Sequence, residues 1–376
     1  PVEVLELPDV VNVPLGQHIG APAVATVAKG DKVLTGQLIA EATGFMSANI
    51  HSPISGTVTA VDLQPNAQGL RQTMITIKRE GDEWLPEIDR SPEIKRECNL
   101  DSAAIIAKIK DAGIVGMGGA TFPTHVKLSI PNGCKAEFLI INGVECEPYL
   151  TSDHRTMLER GEELLVGVEI LKKALNVEKA IIGVENNKPD AIANLKNIIT
   201  KGKFAVEVEP LKVQYPQGGE KQLIDAVMKR QVKSMGLPID VGAVVQNVAT
   251  SLAVYEAVQK NMPLVTNVLT VTGDCLPMEK QHNYKFRIGM PLSYIAEYAG
   301  GIPEEAAKII SGGPMMGKAI ANMEATTVKG SSSLLYFTAE QTVRGVESAC
   351  IRCGKCAEAC PMGLEPFLLQ KYARNN

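Results

Sequence analysis

Four cysteines lie within eleven residues near the end of the chain, and thiolates at that spacing could hold a metal cluster. They are Cys350, Cys353, Cys356 and Cys360, and Pro361 follows the last of them. Zinc modules usually separate two cysteine pairs by a dozen or more residues. Here the spacing lets three thiolates reach neighbouring irons of one cubane, so the run predicts [4Fe-4S] ligation, with zinc as the alternative.

The fourth cysteine raises the question of a second cluster. In a run of this kind, as in bacterial ferredoxins, the last cysteine ligates the other cluster. No cysteine follows Cys360 before Asn376, and the upstream ones stand singly: Cys98, Cys134, Cys146 and Cys275. We therefore expect the missing ligands beyond Asn376, in a longer protein. Isolated cysteines beside a cluster motif also favour a reducing compartment such as the cytoplasm.

Composition excludes two classes of protein. The 376 residues carry a net charge of −4, which gives no electrostatic footprint for nucleic acid. No apolar run approaches the roughly 18–20 residues that a membrane-spanning helix needs, so any membrane location must come through a partner. Hydrophobic content of 45% and charged content of 21% are ordinary for soluble globular domains, and the length predicts two to four of them.

The centre of the chain alternates strand and helix patterns. Short apolar runs at 136–145, 179–185 and 204–211 predict strands, and amphipathic stretches at 162–175 and 188–201 predict helices. Strand, helix, strand, helix, strand implies a parallel sheet with helical crossovers. Such sheets bind ligands beyond the carboxyl ends of their strands.

Several stretches could form that ligand site. The first, 113–128, carries Gly116, Gly118 and Gly119, whose backbone can approach a ligand closely and present N–H groups to an anion. Lys127 in the same stretch could add a charge-assisted contact to phosphate. The others are 141–149, at the end of a predicted strand, and 215–224 followed by 244–258. Glycine-rich loops alone are weak evidence, because turns use the same residues.

The segment 27–61 predicts a compact β-module, because short β-branched runs alternate with glycine-centred turns. It resembles the biotinyl/lipoyl barrel, whose carrier members hold a modified lysine at a hairpin tip. Here that tip is Thr43-Gly44-Phe45-Met46-Ser47, with no lysine. We therefore expect a structural barrel without a prosthetic group.

Taken in order, the central stretches resemble the flavoprotein (NADH-binding) subunit of respiratory complex I. The closer resemblance is to the RnfC family of the Rnf electron-transport complex, because "SGGPMMGKAI" at 311–320, the barrel and the cysteine run also fit. The resemblance covers essentially the whole chain. It implies a Rossmann-like parallel α/β domain that binds FMN non-covalently and exchanges hydride with NAD(H). It also implies two [4Fe-4S] clusters in the full-length protein.

The resemblance carries over residue by residue. It places Gly116, Gly118, Gly119 and Lys127 along the FMN phosphate and ribityl chain. It places flavin and nicotinamide contacts, including the catalytic pair Glu145 and Glu220, at these positions: Asn142, Glu145, Gly218, Glu220, Asn247 and Thr250. The sequence departs from the complex I pattern at Val144, Gly219, Gln246 and Ala249. The alternative is that Glu145 and Glu220 have no functional role and are solvated acids at a strand end and a helix start.

Residues 267–301 resemble the soluble-ligand-binding β-grasp (SLBB) domain. The predicted organisation is a barrel-sandwich domain at 1–85, an FMN/NADH-binding α/β domain at 100–262, an SLBB domain at 264–336 and a truncated ferredoxin-type segment at 340–376. The last segment holds the metal ligands Cys350, Cys353, Cys356 and Cys360, and we expect it to be poorly held without the downstream cysteines.

The function implied is that of an oxidoreductase component that couples ferredoxin/NAD redox chemistry to Na⁺ or H⁺ transport. Flavin is needed because hydride carries two electrons and a cluster accepts one. Expected partners are the membrane and iron–sulfur subunits of an Rnf-type complex, with a peripheral location on the cytoplasmic face of the bacterial cell membrane. Two alternatives are a flavin-free docking and electron-wiring protein and a cobalamin reductase flavoprotein.

Overall fold

The computed structural model describes residues 1–343, 345–360 and 363–375, in two compact units, 1–338 and 339–376. Pro361 and Asn376, which enter the sequence predictions, lie outside the described residues. The first unit contains a barrel-sandwich, a central α/β module and a mixed sheet. The predicted domain boundaries stay predictions.

The N-terminal module packs two small antiparallel sheets around one apolar core. The first strand of the chain, β1 (Val2–Val4), lies outside this module. The strands of the module are β2 (Val10–Pro14), β3 (Val24–Ala25), β4 (Lys32–Val33), β5 (Leu38–Glu41), β6 (Ile50–His51), β7 (Ser55–Pro65) and β8 (Arg71–Gly81). One sheet has the order β2-β8-β7-β4 and the other β3-β5-β6. Alternating residues such as Val11 and Val13 of β2 and Ile75 and Ile77 of β8 are fully buried between them.

The central module is a parallel sheet flanked by helices. Its elements are α1 (Ser102–Asp111), α2 (Thr124–Leu128), β9 (Phe138–Asn142), α3 (Ser152–Glu159), α4 (Gly161–Leu175), β10 (Lys179–Glu185), α5 (Pro189–Gly202), β11 (Glu207–Leu211), α6 (Glu220–Met228), β12 (Ala243–Asn247) and α7 (Val248–Lys260). The strand order is β11-β10-β9-β12, and every pair is parallel. The predicted strand–helix alternation is therefore confirmed.

The strand order fixes where a ligand can enter. From β9 the chain moves outward to β10 and β11, and it then returns to place β12 on the other side of β9. This reversal makes the gap between β9 and β12 the topological switch point of the sheet. Asn142 and Asn247 end these two strands and lie opposite each other in register. Crevices at switch points, beyond the carboxyl ends, are the usual ligand sites of open α/β sheets.

The third module is a mixed sheet with one helix on it. Its elements are β13 (Thr266–Thr272), β14 (His282–Arg287), α8 (Leu292–Tyr298), β15 (Ala306–Ser311), β16 (Lys318–Ala319) and β17 (Ser333–Thr338). The strand order is β1-β14-β13-β17-β15-β16. Strand β1, which precedes the barrel in sequence, pairs in parallel with β14, so the N-terminus of the described chain belongs to this sheet.

The second unit contains short helices around the cysteine run. They are α9 (Ala339–Thr342), α10 (Lys355–Glu358) and α11 (Pro366–Asn375). An ion pair joins Glu347 to Arg374 within this unit. None of the helices among the described residues combines the length and apolar character that a membrane span requires.

Candidate functional site

A cavity of about 630 Å³ opens at the switch point of the parallel sheet. That volume lies within the range typical of small-molecule and cofactor sites, roughly 300–1,000 Å³. Eight of the ten predicted cofactor-binding residues line it, and they come from separate stretches of the chain: Gly116, Gly118, Gly119, Lys127, Asn142, Gly218, Glu220 and Asn247. Glu145 and Thr250 are not among the lining residues.

Asn142 and Asn247, which line the cavity, form side-chain hydrogen bonds with the backbone around it. The Asn142 amide donates to the Gly218 carbonyl at 2.8 Å, and its oxygen accepts from the Val144 N–H at 3.2 Å. Asn247 Oδ1 accepts from the N–H groups of Ala249 at 2.8 Å and Thr250 at 3.4 Å, so Asn247 is the N-cap of α7. Both asparagines therefore fix backbone around the cavity.

The glycine loop, which is the segment 113–123 between α1 and α2, packs directly on α7. The Met117 N–H donates to the buried Thr250 hydroxyl at 2.9 Å, which ties the loop to the first turn of that helix. A Cβ on Gly118 would come within 2.5 Å of Asn247 Nδ2, whereas a Cβ on Gly119 would meet no atom within 4 Å. The close approach of the loop to Asn247 therefore requires a residue without a Cβ at Gly118, whereas Gly119 leaves open space at the cavity wall. Thr250 positions the loop through its hydrogen bond to Met117.

Lys127 and Glu220 form the charged part of the cavity wall. Lys127 Nζ lies 2.7 Å from Glu220 Oε1 and donates to the Val245 carbonyl at 3.1 Å. Both side chains are partly exposed, so the pair is open to a ligand. A bound phosphate would compete with Glu220 for the ammonium group, because carboxylate and phosphate are both strong acceptors for it.

Glu145 supports the N-terminus of α3. Its carboxylate accepts from the N–H groups of Asp153 at 2.7 Å and His154 at 3.1 Å. Its backbone has a positive φ of 47°, which turns the chain sharply after β9. Desolvation raises the pKa of the Glu145 carboxyl, and the nearby Asp153 charge raises it further. Desolvation also raises the pKa of Asp153.

Asp153 is a site residue that the sequence does not indicate. Its Oδ2 accepts from Asn247 Nδ2 at 2.7 Å, so it orients the side chain that ends β12. Asp153 and Asn247 are 94 positions apart in the chain. The packing of α3 against α7 brings them together.

The cavity fits FMN in its chemistry. Gln246 lines it and is 3% exposed, yet its amide Nε2 has no hydrogen-bond partner among the described residues. A buried amide without a partner costs free energy, and a polar ligand would supply the missing acceptor. The open space at Gly119, the Lys127 ammonium and the apolar wall agree with a phosphate-bearing ring ligand.

The cysteine run fits an iron–sulfur cluster in its donor chemistry. Cys350, Cys353 and Cys356 are exposed and Cys360 is half-buried, and all four are free thiols. Within 1–343, 345–360 and 363–375, no three His, Cys, Asp or Glu side chains are grouped closely enough to hold a metal ion. The ligand types and spacing therefore support the cluster, and the arrangement of the described thiols does not add to that support.

Models of known protein families match all four parts of the chain. The "Nuo51 FMN-binding domain" matches 109–256, and the "RnfC Barrel sandwich hybrid domain" matches 1–82. An "SLBB domain" matches 268–319, and a "4Fe-4S binding domain" matches 344–364. The fold and the site thus define a flavin-binding and iron–sulfur electron-transfer protein. These matches confirm the predicted fold class.

Curated relatives narrow the class to one family. The chain is 46% identical to the C component of the proton-translocating ferredoxin:NAD(+) oxidoreductase complex of Clostridium ljungdahlii, over 98% of this chain and 79% of the relative. It is 42% identical to the C component of the Na(+)-translocating ferredoxin:NAD(+) oxidoreductase complex of Acetobacterium woodii, over 98% and 82%. The chain belongs to the RnfC family of ion-translocating oxidoreductase complexes, which confirms the resemblance.

A solved structure agrees with the fold. An NAD⁺-reducing [NiFe]-hydrogenase in its H₂-reduced state matches 64% of this chain and 47% of its own chain, with a TM-score of 0.54 and 22% identity. At that identity the likeness concerns the fold alone.

Proposed function

We propose that this chain is the electron-transfer component of a membrane-bound, ion-translocating oxidoreductase, in which it exchanges electrons with NAD(H) through FMN and [4Fe-4S] clusters. The observation that carries the proposal is the cavity at the switch point, lined by the glycine loop, in a chain of the RnfC family. When bound, FMN supplies conversion between two-electron hydride transfer and one-electron transfer.

The residues of the chain would divide the work. Gly119 leaves room beside the ligand, Gly118 lets the loop pack on Asn247, and Lys127 would neutralise the FMN phosphate. Glu220 would then be released from Lys127 to shape the nicotinamide side of the cavity. Glu145, Asp153 and Thr250 act through other groups, because their hydrogen bonds hold α3, Asn247 and the loop at Met117.

The thiols of Cys350, Cys353, Cys356 and Cys360 would ligate iron, as the family match at 344–364 supports. The wider setting follows from the relatives. Their names give ferredoxin and NAD(+) as redox partners and a proton or Na(+) as the translocated ion. We extend this to the present chain, with membrane and iron–sulfur subunits as partners and the cytoplasmic face of the membrane as location.

The test is an FMN titration of the purified chain, followed by flavin fluorescence. Lys127→Ala should weaken FMN binding by roughly 1–3 kcal/mol, as the loss of a charge-assisted contact does. Lys201→Ala, which removes an exposed lysine of α5 outside the cavity lining, should leave the affinity unchanged. No binding to the wild type, or equal binding by both variants, would reject the proposed site.

A flavin-free docking and electron-wiring role is the second candidate. The ion pair between Lys127 and Glu220 favours it, because the cation of the cavity already has a partner. The same titration separates the candidates. An empty cavity that takes up no FMN would support the docking role.

A further inference from the structure

The hairpin of the barrel reaches the cavity of the α/β module. Strands β5 and β6 are joined by a tip, 43–47, at the place where carrier domains hold their lysine. Phe45 of this tip lines the cavity together with the glycine loop, although the two segments lie in different modules. Its side chain is 63% exposed. A ligand that covered this exposed aromatic ring would gain binding free energy, because burying an aromatic side chain is strongly favourable.

Hydrogen bonds within the barrel hold the tip in one conformation. The Ser47 hydroxyl donates to the Ala21 carbonyl at 2.8 Å and accepts from the Thr43 N–H at 3.2 Å. The Ala48 N–H donates to His18 Nε2 at 3.1 Å. The tip is therefore closed at its base by Ser47, which is buried, whereas residues 43–46 are exposed.

Hydrogen bonds to the α/β module fix the tip at the cavity. The His125 Nε2–H donates to the Phe45 carbonyl at 3.1 Å, and the two rings meet edge to face with centroids 6.2 Å apart. The Asn49 amide donates to the Asp111 carbonyl at 3.2 Å, and the Ile19 N–H donates to the Thr121 carbonyl at 3.3 Å. These contacts join the barrel to the α/β module at Phe45 itself, at Asn49 after the tip and at Ile19.

A buried lysine of the third module adds a further anchor. Lys329 is 1% exposed, and its Nζ donates to the carbonyls of Asn49 and Gly113, each at 2.6 Å. It joins the base of the hairpin to the start of the glycine loop. A hairpin held at so many points cannot swing as a carrier arm does, and the ring that it presents stays beside the cavity.

We propose that Phe45 is a ligand-binding residue whose ring packs against the planar ring system of the flavin, which makes the barrel hairpin a fixed wall of the cavity. The proposal rests on the proposed function and adds a specificity-determining residue from a second module. The phosphate of FMN would lie with Lys127, and the ring would be bounded by Phe45 and the apolar side chains of the cavity, such as Phe122 and Ile239.

The test compares FMN with riboflavin, which has the same ring and no phosphate, on the full chain. Phe45→Ala should weaken the binding of both ligands by the same factor, roughly 5- to 150-fold, the range that base–aromatic stacking gives. Lys127→Ala should weaken FMN and leave riboflavin nearly unchanged. Phe45→Tyr, which keeps the ring, should bind like the wild type. Leu70→Ala is the matched control, because Leu70 is a similarly exposed (68%) apolar tip residue of the same barrel outside the cavity lining.

The outcomes separate this inference from the function on which it rests. If the wild type binds neither ligand, the proposed function fails and this inference falls with it. If the wild type binds FMN and Phe45→Ala binds both ligands equally well, Phe45 is not a wall of the site. A loss for FMN alone would place Phe45 at the phosphate and overturn the ring contact. If Phe45→Ala unfolds at a lower temperature than Leu70→Ala, Phe45→Leu, which keeps the apolar bulk, replaces it in the comparison.

Discussion

Glu145 and Glu220 look alike in the sequence, as acids close to a glycine, and the structure gives them different surroundings. The Glu145 carboxylate accepts hydrogen bonds from the N–H groups of Asp153 and His154 at the start of α3. Glu220 lines the cavity and pairs with Lys127. The prediction that both are catalytic therefore remains a prediction, and the surroundings assign them separable effects.

Substituting each acid should distinguish these effects. Glu145→Ala should lower the stability of the protein by about 0.5–2 kcal/mol, because it removes the acceptor of two N–H groups at the start of α3. Glu220→Gln should cost less than about 1 kcal/mol, the usual limit for a partly exposed ion pair, and should slow the reduction of bound flavin by NADH. Urea denaturation and anaerobic stopped-flow measure the two quantities. A stability loss equal for both variants would contradict this division.

At the scale of elements, the sequence predicts the parallel sheet but not its strand order. The strand β10 (Lys179–Glu185) has the predicted bounds, because a continuous apolar run of this length belongs to a buried strand. Strand β9 ends at Asn142, earlier than the predicted 145, because the chain must turn at the positive φ of Glu145. The position of β12 beside β9 depends on contacts about 105 residues apart, such as Asn247 with Asn142.

The glycine loop gives a prediction for two neighbouring residues. Gly118→Ala should lower stability by about 1–3 kcal/mol, because its Cβ would displace Asn247, whose amide is held by Asp153 and the start of α7. Gly119→Ala should change stability by less than about 0.5 kcal/mol, because its Cβ meets open space. The measurement is the midpoint of thermal or urea unfolding of the two variants. Equal midpoints would show that the packing of Gly118 on Asn247 is not tight in solution.

At the scale of the whole molecule, contacts between modules place the barrel hairpin at the wall of the cavity. No local sequence pattern predicts these contacts. Lys329 and its partner Asn49 are 280 positions apart in the chain. The sequence identifies the tip 43–47 only as a hairpin without a lysine, and its contact with the cavity is visible only in the assembled fold. Local periodicity determines which elements form, and long-range packing determines which of them meet.

Burial of Lys329 makes stability depend on pH. Desolvation lowers its pKa to about 7, and a neutral amine has two N–H donors for the carbonyls of Asn49 and Gly113. The unfolded chain therefore binds more protons between about pH 7 and its ordinary pKa near 10.4, so stability should rise with pH across that window. His18 and His51 face the same region. Burial lowers the pKa of both, so they titrate below this window.

The measurement is the unfolding midpoint against pH for the wild type and Lys329→Met, with reductant present. The wild type should gain stability between about pH 7 and 10 relative to the variant, by at most 1.4 kcal/mol per pH unit for one proton. The difference between the two proteins removes the contribution of other groups. Parallel curves would mean that Lys329 keeps its proton in the folded protein.

The central claim is that the switch-point cavity holds FMN in a position to react with nicotinamide. Its most direct test is an anaerobic titration of the FMN-loaded full-length protein with NADH, followed by visible flavin absorbance. The account predicts that the protein retains equimolar FMN, that NADH bleaches it, and that Lys127→Ala retains less FMN under the same conditions. A protein that retains no flavin, or a bound flavin that NADH leaves oxidised, would contradict it.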